Sequence, residues 1–289
     1  MFSTALAPNL YGLQRMKTYN REVEFEDYET LETELTIGGG LINLGKCSWD
    51  LLFSLNLKYN AEEMKPKMEF DDYEDAYLNF RVINKKNVEY DLDFGDDDED
   101  NLSFGINTLK KTTWDLTFSD RIPIDFTIMA GAVSANLDFT GLKVNNLEIA
   151  TGASRISVRF DEQNPIMMER FELTLGLAKF KSSNLLYANF EQMVIEGGVG
   201  TSILDLTGDL DHTAYVDIEM GFGSTTLILP RNVGVKLITD VSFLTSIDIE
   251  DMLETDDDEF ISSNWGDTEG ELVINLEATV GIVNIIFEN

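Results

Sequence analysis

The amino-acid sequence predicts an all-β protein, a stacked β-solenoid with glycine-cornered repeats of about 22 residues and almost no helix. Three observations support this fold class. Apolar residues alternate with polar ones along several segments, helical periodicity is weak throughout, and one glycine-centred unit recurs along the second half of the chain. Because successive side chains of a strand point to opposite faces, such alternation indicates strands with one buried face.

The most regular alternation begins at residue 49, where polar residues separate the apolar ones except at Leu52. The apolar positions are Trp49, Leu51, Phe53, Leu55, Leu57 and Tyr59. This pattern predicts one half-buried strand. Shorter alternations at residues 88–94 and 114–118 predict two further strands.

The stretch before this strand differs by one step from a phosphate-binding loop. Gly40, Gly45 and Lys46 have the spacing of that loop, but Cys47 stands where the loop has a magnesium-binding hydroxyl. Such a loop also needs a helix to begin here, so that its first N–H groups face the phosphates. A strand is predicted instead, so we interpret the stretch as a glycine-marked turn between strands and expect no nucleotide.

A repeat unit recurs in the second half of the chain, with spacings of 21, 24, 22 and 23 residues between its central glycines. The central residues are Gly131, Gly152, Gly176, Gly198 and Gly221. Apolar residues recur five and three positions before each glycine and six and eight positions after it. Only one unit departs on the far side, where Ser182 and Asn184 replace them. Gly281 continues the pattern and Gly40 fits it in part.

Each unit is therefore predicted to form a strand, a glycine corner and a second strand, with apolar residues on one face only. One unit cannot bury that face alone, whereas units stacked in register cover one another. Glycine at the corner permits positive φ or close contact between successive coils. Because open ends expose unpaired backbone groups, we expect caps or end-to-end association, with residues 1–35 and 284–289 as the natural caps.

Two glycine pairs, Gly198 with Gly200 and Gly221 with Gly223, have the spacing that begins a dinucleotide-binding fingerprint. No helix is predicted after either pair, so we give these glycines the same structural role as the other corners.

The chain is predicted to divide near residue 120. We expect residues 1–20 to form a leader remnant or an N-terminal cap, residues 21–120 an N-terminal β domain, and residues 121–289 the repeat domain, continuous with the first. Ala5-Leu6-Ala7 has the form of a signal-peptide cleavage site, but no basic region or full apolar core precedes it. An ordinary first strand is therefore the alternative for this end.

Composition and charge exclude several function classes. The 53 acidic and 21 basic residues give a net charge of −32, which repels nucleic-acid phosphates and makes nucleic acid a poor partner. Cys47 is the only cysteine and His212 the only histidine, so no intrachain disulfide or thiolate metal cluster can form. No apolar run is long enough to span a membrane. We expect His212 to lie in a solvated turn.

The sequence predicts no catalytic, cofactor-binding or metal-binding residue and no cofactor. In particular, the motif G-x-S-x-G, which presents a nucleophilic serine, does not occur. Acidic tracts at residues 91–100 and 254–259 are interpreted as solvated loops at a rim. Their spacing does not match a helix-loop-helix calcium site, and whether they bind calcium stays open.

Several segments resemble the bacterial toast-rack family, which is related to the extracytoplasmic cell wall-active antibiotics response domains. The resemblance rests on the glycines and alternations of residues 122–160, 194–210, 216–237 and 276–287. Ser262-Ser263-Asn264-Trp265 is similar to a short Ser-Asn-aromatic element of that family, and residues 51–70 are similar to its first domain. The resemblance implies a stacked β-solenoid that is exported or anchored outside the membrane.

Some members of that family are membrane-anchored negative regulators of two-component systems that sense envelope stress, and others are candidate adhesins. The present sequence departs from the regulators because it has no membrane-spanning segment. The family has no established catalytic residues, so the resemblance implies none here.

We therefore predict a non-catalytic, extracytoplasmic bacterial protein of the periplasm or cell surface, with a structural or binding role in envelope stress or adhesion. Its partner would be a cell-envelope component or another protein, such as a sensor kinase, met through an acidic lateral surface. The oligomeric state stays open. The alternative is a polysaccharide lyase or glycosidase on the same scaffold. A lyase needs cations near the developing charge, but those of the repeats are few and scattered. They are Arg155, Arg159, Lys179, Lys181, Arg231 and Lys236.

Overall fold

The computed structural model of the chain describes residues 15–73, 75–85, 112–256 and 258–288. These residues form a single mixed sheet of sixteen strands and one 3-10 helix, Leu185–Ala188. The strands in chain order are β1 (Met16–Glu24), β2 (Thr30–Lys46), β3 (Leu51–Asn60), β4 (Met64–Asp71), β5 (Asp75–Asn84), β6 (Thr113–Phe118), β7 (Pro123–Asp138), β8 (Lys143–Arg159), β9 (Arg170–Ser183), β10 (Gln192–Asp205), β11 (Thr213–Pro230), β12 (Gly234–Val241), β13 (Thr245–Ile249), β14 (Met252–Asp256), β15 (Glu259–Ser262) and β16 (Glu271–Glu288).

Seven long strands form the body of the protein, in the order β2, β7, β8, β9, β10, β11 and β16. All six pairs of neighbours in this series are parallel. Each strand changes direction near its centre, so that its two halves, here called the first and second arms, enclose a common interior. Phe126 and Phe139 lie on either side of Gly131, yet their ring centroids are only 5.4 Å apart. The predicted stacked β-solenoid is therefore confirmed.

Phenylalanine rings fill much of this interior. Successive ring centroids are 5.0–6.4 Å apart along a series that crosses from one arm to the other and from coil to coil. The series is Phe118, Phe126, Phe139, Phe160, Phe171 and Phe190, each at most 1% exposed. Aromatic pairs of this kind contribute about 0.5–1.5 kcal/mol beyond the burial of their area. The alternation detected in the sequence thus lines a single core that crosses coil boundaries.

The predicted central glycines form one continuous column at the corner of the stack. A Cβ at Gly131 would lie 2.5 Å from the carbonyl oxygen of Gly38, and one at Gly198 would lie 2.7 Å from that of Gly176. Real Cβ atoms do not approach an oxygen so closely, so successive backbones meet here only because side chains are absent. Close contact between coils, rather than positive φ, explains this column.

A second glycine column lies two residues further along the strands, and it corrects the alignment predicted above. Gly281 pairs with Gly223 rather than continuing the column of Gly221, and Gly38 rather than Gly40 lies opposite Gly131. The error equals two residues. Because side chains repeat their direction every two residues, a slip of two leaves the same apolar positions on the inner face and cannot be detected from the alternation.

Each end of the stack is closed by shorter strands. At the N-terminal end, β5 and β6 pair with the first and second arms of β2, and β3, β1 and β4 add antiparallel pairs. At the other end, β12 and β13 pair with the two arms of β16, and β14 and β15 form a hairpin beside β12. In the described residues, the second arm of β16 pairs with β11 as far as Glu288 but with β13 only as far as Ile285, so the predicted cap of residues 284–289 is wrong for residues 284 and 285, whereas residues 286–288 lie at the end of the stack. Of the other predicted cap, residues 1–35, residues 31–35 lie inside the stack instead, because β2 pairs there with both β5 and β7. The division near residue 120 stays a prediction.

The other predicted elements fall as follows. Residues 114–118 form β6, as predicted, and residues 88–94 lie outside the described part of the chain. The strand predicted from residue 49 begins only at Leu51, and Trp49 precedes it in a turn with 71% of its surface exposed. With a length of four residues, the helix of the described region is far too short to cross a membrane.

Candidate functional site

The glycine stretch that was compared with a phosphate loop belongs to one strand. Gly40, Gly45 and Lys46 all lie in β2, so no helix N-terminus faces this position. Gly40 stands at the corner of β2, and the Lys46 ammonium lies 3.2 Å from the Asp120 carboxylate. The stretch is therefore a strand corner and its second arm, rather than the turn between strands that the sequence suggested.

His212 lies in the turn before β11, as expected, but its ring is mostly covered rather than solvated. Nε2 lies 3.0 Å from the Phe190 carbonyl oxygen, and Nδ1 lies 3.1 Å from the Asp211 carboxylate. The imidazole thus connects the turns of two neighbouring coils.

The first acidic tract, residues 91–100, lies outside the described part of the chain, and the second, apart from residue 257, belongs to the β14–β15 hairpin. No group of three or more His, Cys, Asp or Glu side chains suited to a metal ion occurs within the described ranges.

The structure brings together cations that look scattered in the sequence. Arg155 and Lys179 face each other across β8 and β9, and Lys181 follows on the same exposed face. Arg159 instead pairs with Asp138 and Asp161. On the first arms, four exposed carboxylates lie in register on adjacent strands, which gives that face a local acidic column. They are Glu196, Glu219, Glu277 and Asp240.

Exposed apolar side chains follow the glycine corner. Leu177, Val199 and Phe222 are in register on β9, β10 and β11, and between 48% and 62% of each remains exposed. Phe243 is 95% exposed and lies in the loop that replaces the corner between β12 and β13. The corner edge is thus a narrow apolar ridge, without a depression deep enough to hold a ligand.

A wide depression lies at the opposite edge, where turns connect the coils. The turns after β1, β4 and β6 converge at the N-terminal end and enclose a cleft of about 730 Å³ that is open to solvent. Its lining combines aromatic rings, carboxylates and one guanidinium. These residues are Phe25, Glu26, Asp27, Tyr28, Asp72, Tyr73 and Arg121. We refer to this depression as the aromatic cleft.

Arg121 is held by aromatic rings rather than by an acid. Its guanidinium carbon lies 3.6 Å from the centroid of the Phe25 ring and 4.9 Å from that of the Trp49 ring. Among the described residues, no carboxylate lies within ion-pair distance of Arg121, although three acidic residues line the same cleft. Stacking fixes the plane of a guanidinium and leaves its N–H groups directed outwards from the edge. Hydrogen-bond donors are therefore available to a ligand.

A second pair of residues stiffens the opposite wall. The buried Tyr28 donates a hydrogen bond of 2.8 Å from its hydroxyl to the Asp72 carboxylate. Burial, followed by the contact with Asp72, raises the pKa of Tyr28 well above its ordinary value. The phenol therefore remains a donor, and the second carboxylate oxygen of Asp72 can accept from a ligand. Phe25 and Phe70 pack edge-on against Tyr28 and fix its ring.

Two large rings at the cleft are exposed. Tyr73 lines it with 74% of its surface exposed, and Trp49 is 71% exposed on the outer side of Arg121. The sequence analysis missed this site, because Trp49 continues the alternation of β3 and was assigned to its buried face. The adjoining polar residues Ser48 and Asp50 were the only signal that Trp49 could belong to a turn.

Comparison with known proteins identifies a family match. The family model of the N-terminal domain of toast_rack, DUF2154, matches residues 13–181. No curated protein matches the chain significantly.

Several solved structures are similar to the whole chain at low identity. A candidate cell adhesion protein from Clostridium sporogenes is 18% identical, covers 95% of this chain and 100% of its own, and has a TM-score of 0.46. A candidate lipid binding protein from Parabacteroides distasonis is 9% identical, with 92% and 96% covered and a TM-score of 0.37. A candidate adhesin from Parabacteroides merdae is also 9% identical, with 93% and 96% covered and a TM-score of 0.34. These scores are too low to carry an argument about function.

Proposed function

The chain belongs to the toast-rack family, and from this premise we propose that it is a non-catalytic binding protein that acts outside the bacterial cytoplasm, with the aromatic cleft as its binding site. The observation that carries the proposal is the environment of the Arg121 guanidinium. It is stacked between two rings, has no carboxylate partner in the described ranges, and lies beside three acidic residues of a strongly acidic protein.

Such an arrangement supports binding for a physical reason. A cation in an acidic protein is stabilised most simply by an ion pair, yet here the rings keep the guanidinium away from the carboxylates. Donors and acceptors consequently line the same open cleft without neutralising one another. A ligand that offers both kinds of group can satisfy both sides at once.

The scaffold supports the same role. The cleft residues lie on turns, whereas the strands that flank those turns are paired to neighbours, β1 and β4 in antiparallel ladders and β2 in parallel ladders with β5, β6 and β7. Loops held by a rigid framework are a common place for recognition, because the framework limits the entropy lost on binding.

The compartment and the process are further parts of the proposal. The kinship of the toast-rack family to extracytoplasmic domains supports a place in the periplasm or on the cell surface. A cell-envelope component or another protein would then be the partner, in envelope stress or in adhesion. In a response to envelope stress the ligand would belong to the cell's own envelope, whereas in adhesion it would belong to another surface.

The test is co-sedimentation of the full chain with washed bacterial envelope fragments. We expect Arg121→Ala to reduce the apparent affinity at least tenfold, since a hydrogen bond to a charged group contributes about 1.5–3 kcal/mol. Arg155→Ala removes an exposed cation outside the cleft and should bind as the parent does. Equal binding by Arg121→Ala and the parent chain would contradict the cleft as the binding site.

The alternative of a polysaccharide-active enzyme is tested on the same fragments. Release of reducing ends by the parent chain, with its loss in Asp72→Asn, would overturn the non-catalytic part of the proposal. We expect no release above the level of a heat-denatured control.

A further inference from the structure

We infer that the ligand of the aromatic cleft is a saccharide, recognised as an uncharged sugar ring within a short oligosaccharide. This inference rests on the proposed function, because it names the ligand class for the same site. It follows from three properties of the cleft: exposed ring faces, donors and acceptors side by side, and size.

The exposed rings fit the apolar face of a sugar. Tyr73 and Trp49 each leave more than 70% of their surface to solvent, while Phe25 and Tyr28 are packed into the wall. Large aromatic side chains bury about 150–250 Å² when covered, so exposed rings beside a cleft are available to a flat apolar ligand surface. The C–H groups on one face of a pyranose ring form such a surface.

The polar groups select among ligands that could stack on these rings. A sugar hydroxyl both donates and accepts, so neighbouring hydroxyls can donate to Glu26, Asp27 or Asp72 and accept from Arg121. A quaternary amine would suit the rings and the acids, but it offers nothing to the Arg121 donors. A phosphate or uronate would suit Arg121, but three carboxylates would repel it. Of these three classes, the uncharged hydroxyl-rich ligand is the one that satisfies all of these groups.

The dimensions of the cleft agree with an oligosaccharide. Its volume of about 730 Å³ lies within the range of about 300–1,000 Å³ that is usual for sites of drug-sized ligands. Because the cleft is open to solvent, a longer chain can leave it without a clash. The predicted complex therefore includes stacking on Tyr73 or Trp49 and hydrogen bonds to Arg121.

The experiment is a titration of the full chain with neutral, N-acetylated and uronic-acid oligosaccharides, and with choline, followed by calorimetry and tryptophan fluorescence. The probes are cello-, malto-, manno-, chito- and galacturonate oligomers. We expect at least one uncharged oligomer to bind, and Tyr73→Ala and Arg121→Ala each to weaken it about tenfold or more. Trp49→Phe should reduce the fluorescence change.

Matched controls are available elsewhere on the surface. Phe243→Ala removes an exposed aromatic ring at the opposite edge, and Arg155→Ala an exposed cation on β8. Both should bind the same oligomer as the parent chain does. Melting temperatures of all the variants identify any that fail to fold, and for those Tyr73→Leu and Arg121→Met replace them, because they keep much of the side-chain volume but remove the ring and the donors.

The outcomes separate the inference from the proposed function. If no uncharged oligomer binds while binding to envelope fragments still depends on Arg121, the inferred saccharide ligand is wrong, but the aromatic cleft remains the proposed binding site. The inference of an uncharged saccharide would also be wrong if galacturonate or choline bound more tightly than every uncharged oligomer. If an uncharged oligomer binds equally well to Tyr73→Ala and Arg121→Ala, the cleft is not its site. If it binds in the cleft but envelope fragments do not, the inference stands and the envelope partner is wrong.

Discussion

The two edges of the coil stack are built in opposite ways. At the corner edge, successive backbones touch through glycines, and the exposed side chains are small or apolar. At the turn edge, connections range from the three residues between β11 and β12 to the ten between β8 and β9. Polar side chains tie these turns together, and the aromatic cleft lies among them.

This difference separates the part of the protein that fixes the fold from the part that can vary. Contact between backbones leaves almost no choice of residue at the glycine positions of the corner, because a side chain there would enter the neighbouring coil. A turn has room for insertions and for new side chains, as long as its ends stay in register. A binding site is therefore expected at the turn edge.

Substitution in the second glycine column should have the largest effect on stability. A Cβ at Gly223 would overlap the carbonyl oxygen of Gly200, and the residue has φ of +148°. We expect Gly223→Ala to cost more than about 4 kcal/mol, because overlap with the neighbouring coil and backbone strain act together. Chemical denaturation would measure this loss. Gly45→Ala is the control, since no atom lies within 4 Å of its added Cβ and it should melt near the parent temperature.

The first column should show a marked but smaller loss. In Gly198→Val the new Cβ would lie 2.7 Å from the Gly176 carbonyl oxygen, and Gly221→Val meets Gly198 in the same way. We expect each to cost several kcal/mol and to lower the melting temperature by roughly 5 °C or more. If both variants melt as the parent does, the corner is not held by close backbone contact.

At the turn edge, the largest loss is expected at a buried amide. Asn164 donates to the carbonyl oxygens of Val144 and Ala188 and accepts from the Val144 N–H, so it connects the start of β8 with two turns. Asn164→Ala should cost about 2–3 kcal/mol, since it leaves buried polar groups without partners. Thermal unfolding of Asn43→Ala gives the reference, because the amide of Asn43 is exposed and donates only to Asp115. A loss as large as that of Gly223→Ala would remove the distinction between the edges.

The smallest effect concerns the thiol in the turn between β2 and β3. Burial raises the pKa of Cys47 to about 11 from an ordinary value of 9.0. Because the thiolate is the reactive form, we expect alkylation at pH 8 to be about a hundredfold slower than for an unburied thiol, with the rate rising up to about pH 11. The pH profile of iodoacetamide labelling measures it. A midpoint near 9 would show that this turn opens freely.

Sequence reasoning found the stack because its physical cause is periodic. Gly131 and the four glycines that follow it recur with their apolar neighbours, and the structure places them in one column. The same periodicity concealed that Gly281 lies opposite Gly223 rather than Gly221, because a shift of two residues leaves every side chain on the same face of its strand. The caps were partly misplaced because the pairings of β2 with β5 and of β16 with β13 are long-range choices that local patterns do not encode.

The aromatic cleft could not be predicted from the sequence for a related reason. Phe25, Trp49 and Arg121 belong to three different turns that meet only after the N-terminal strands have paired. None of the three is unusual where it stands in the sequence. These residues form a site only because the fold brings them into contact. The alternation through Trp49 also predicted a buried environment for its ring, which is exposed in the structure.

The position of β16 has a consequence for biosynthesis. The ribosome makes β12 to β15 before β16, yet β12 reaches β11 only through β16. Until β16 has been made, no strand is therefore available to pair β11 with β12. We therefore expect arrest of translation before β16 to leave β12 to β15 accessible to protease, while β7 to β11 are already protected.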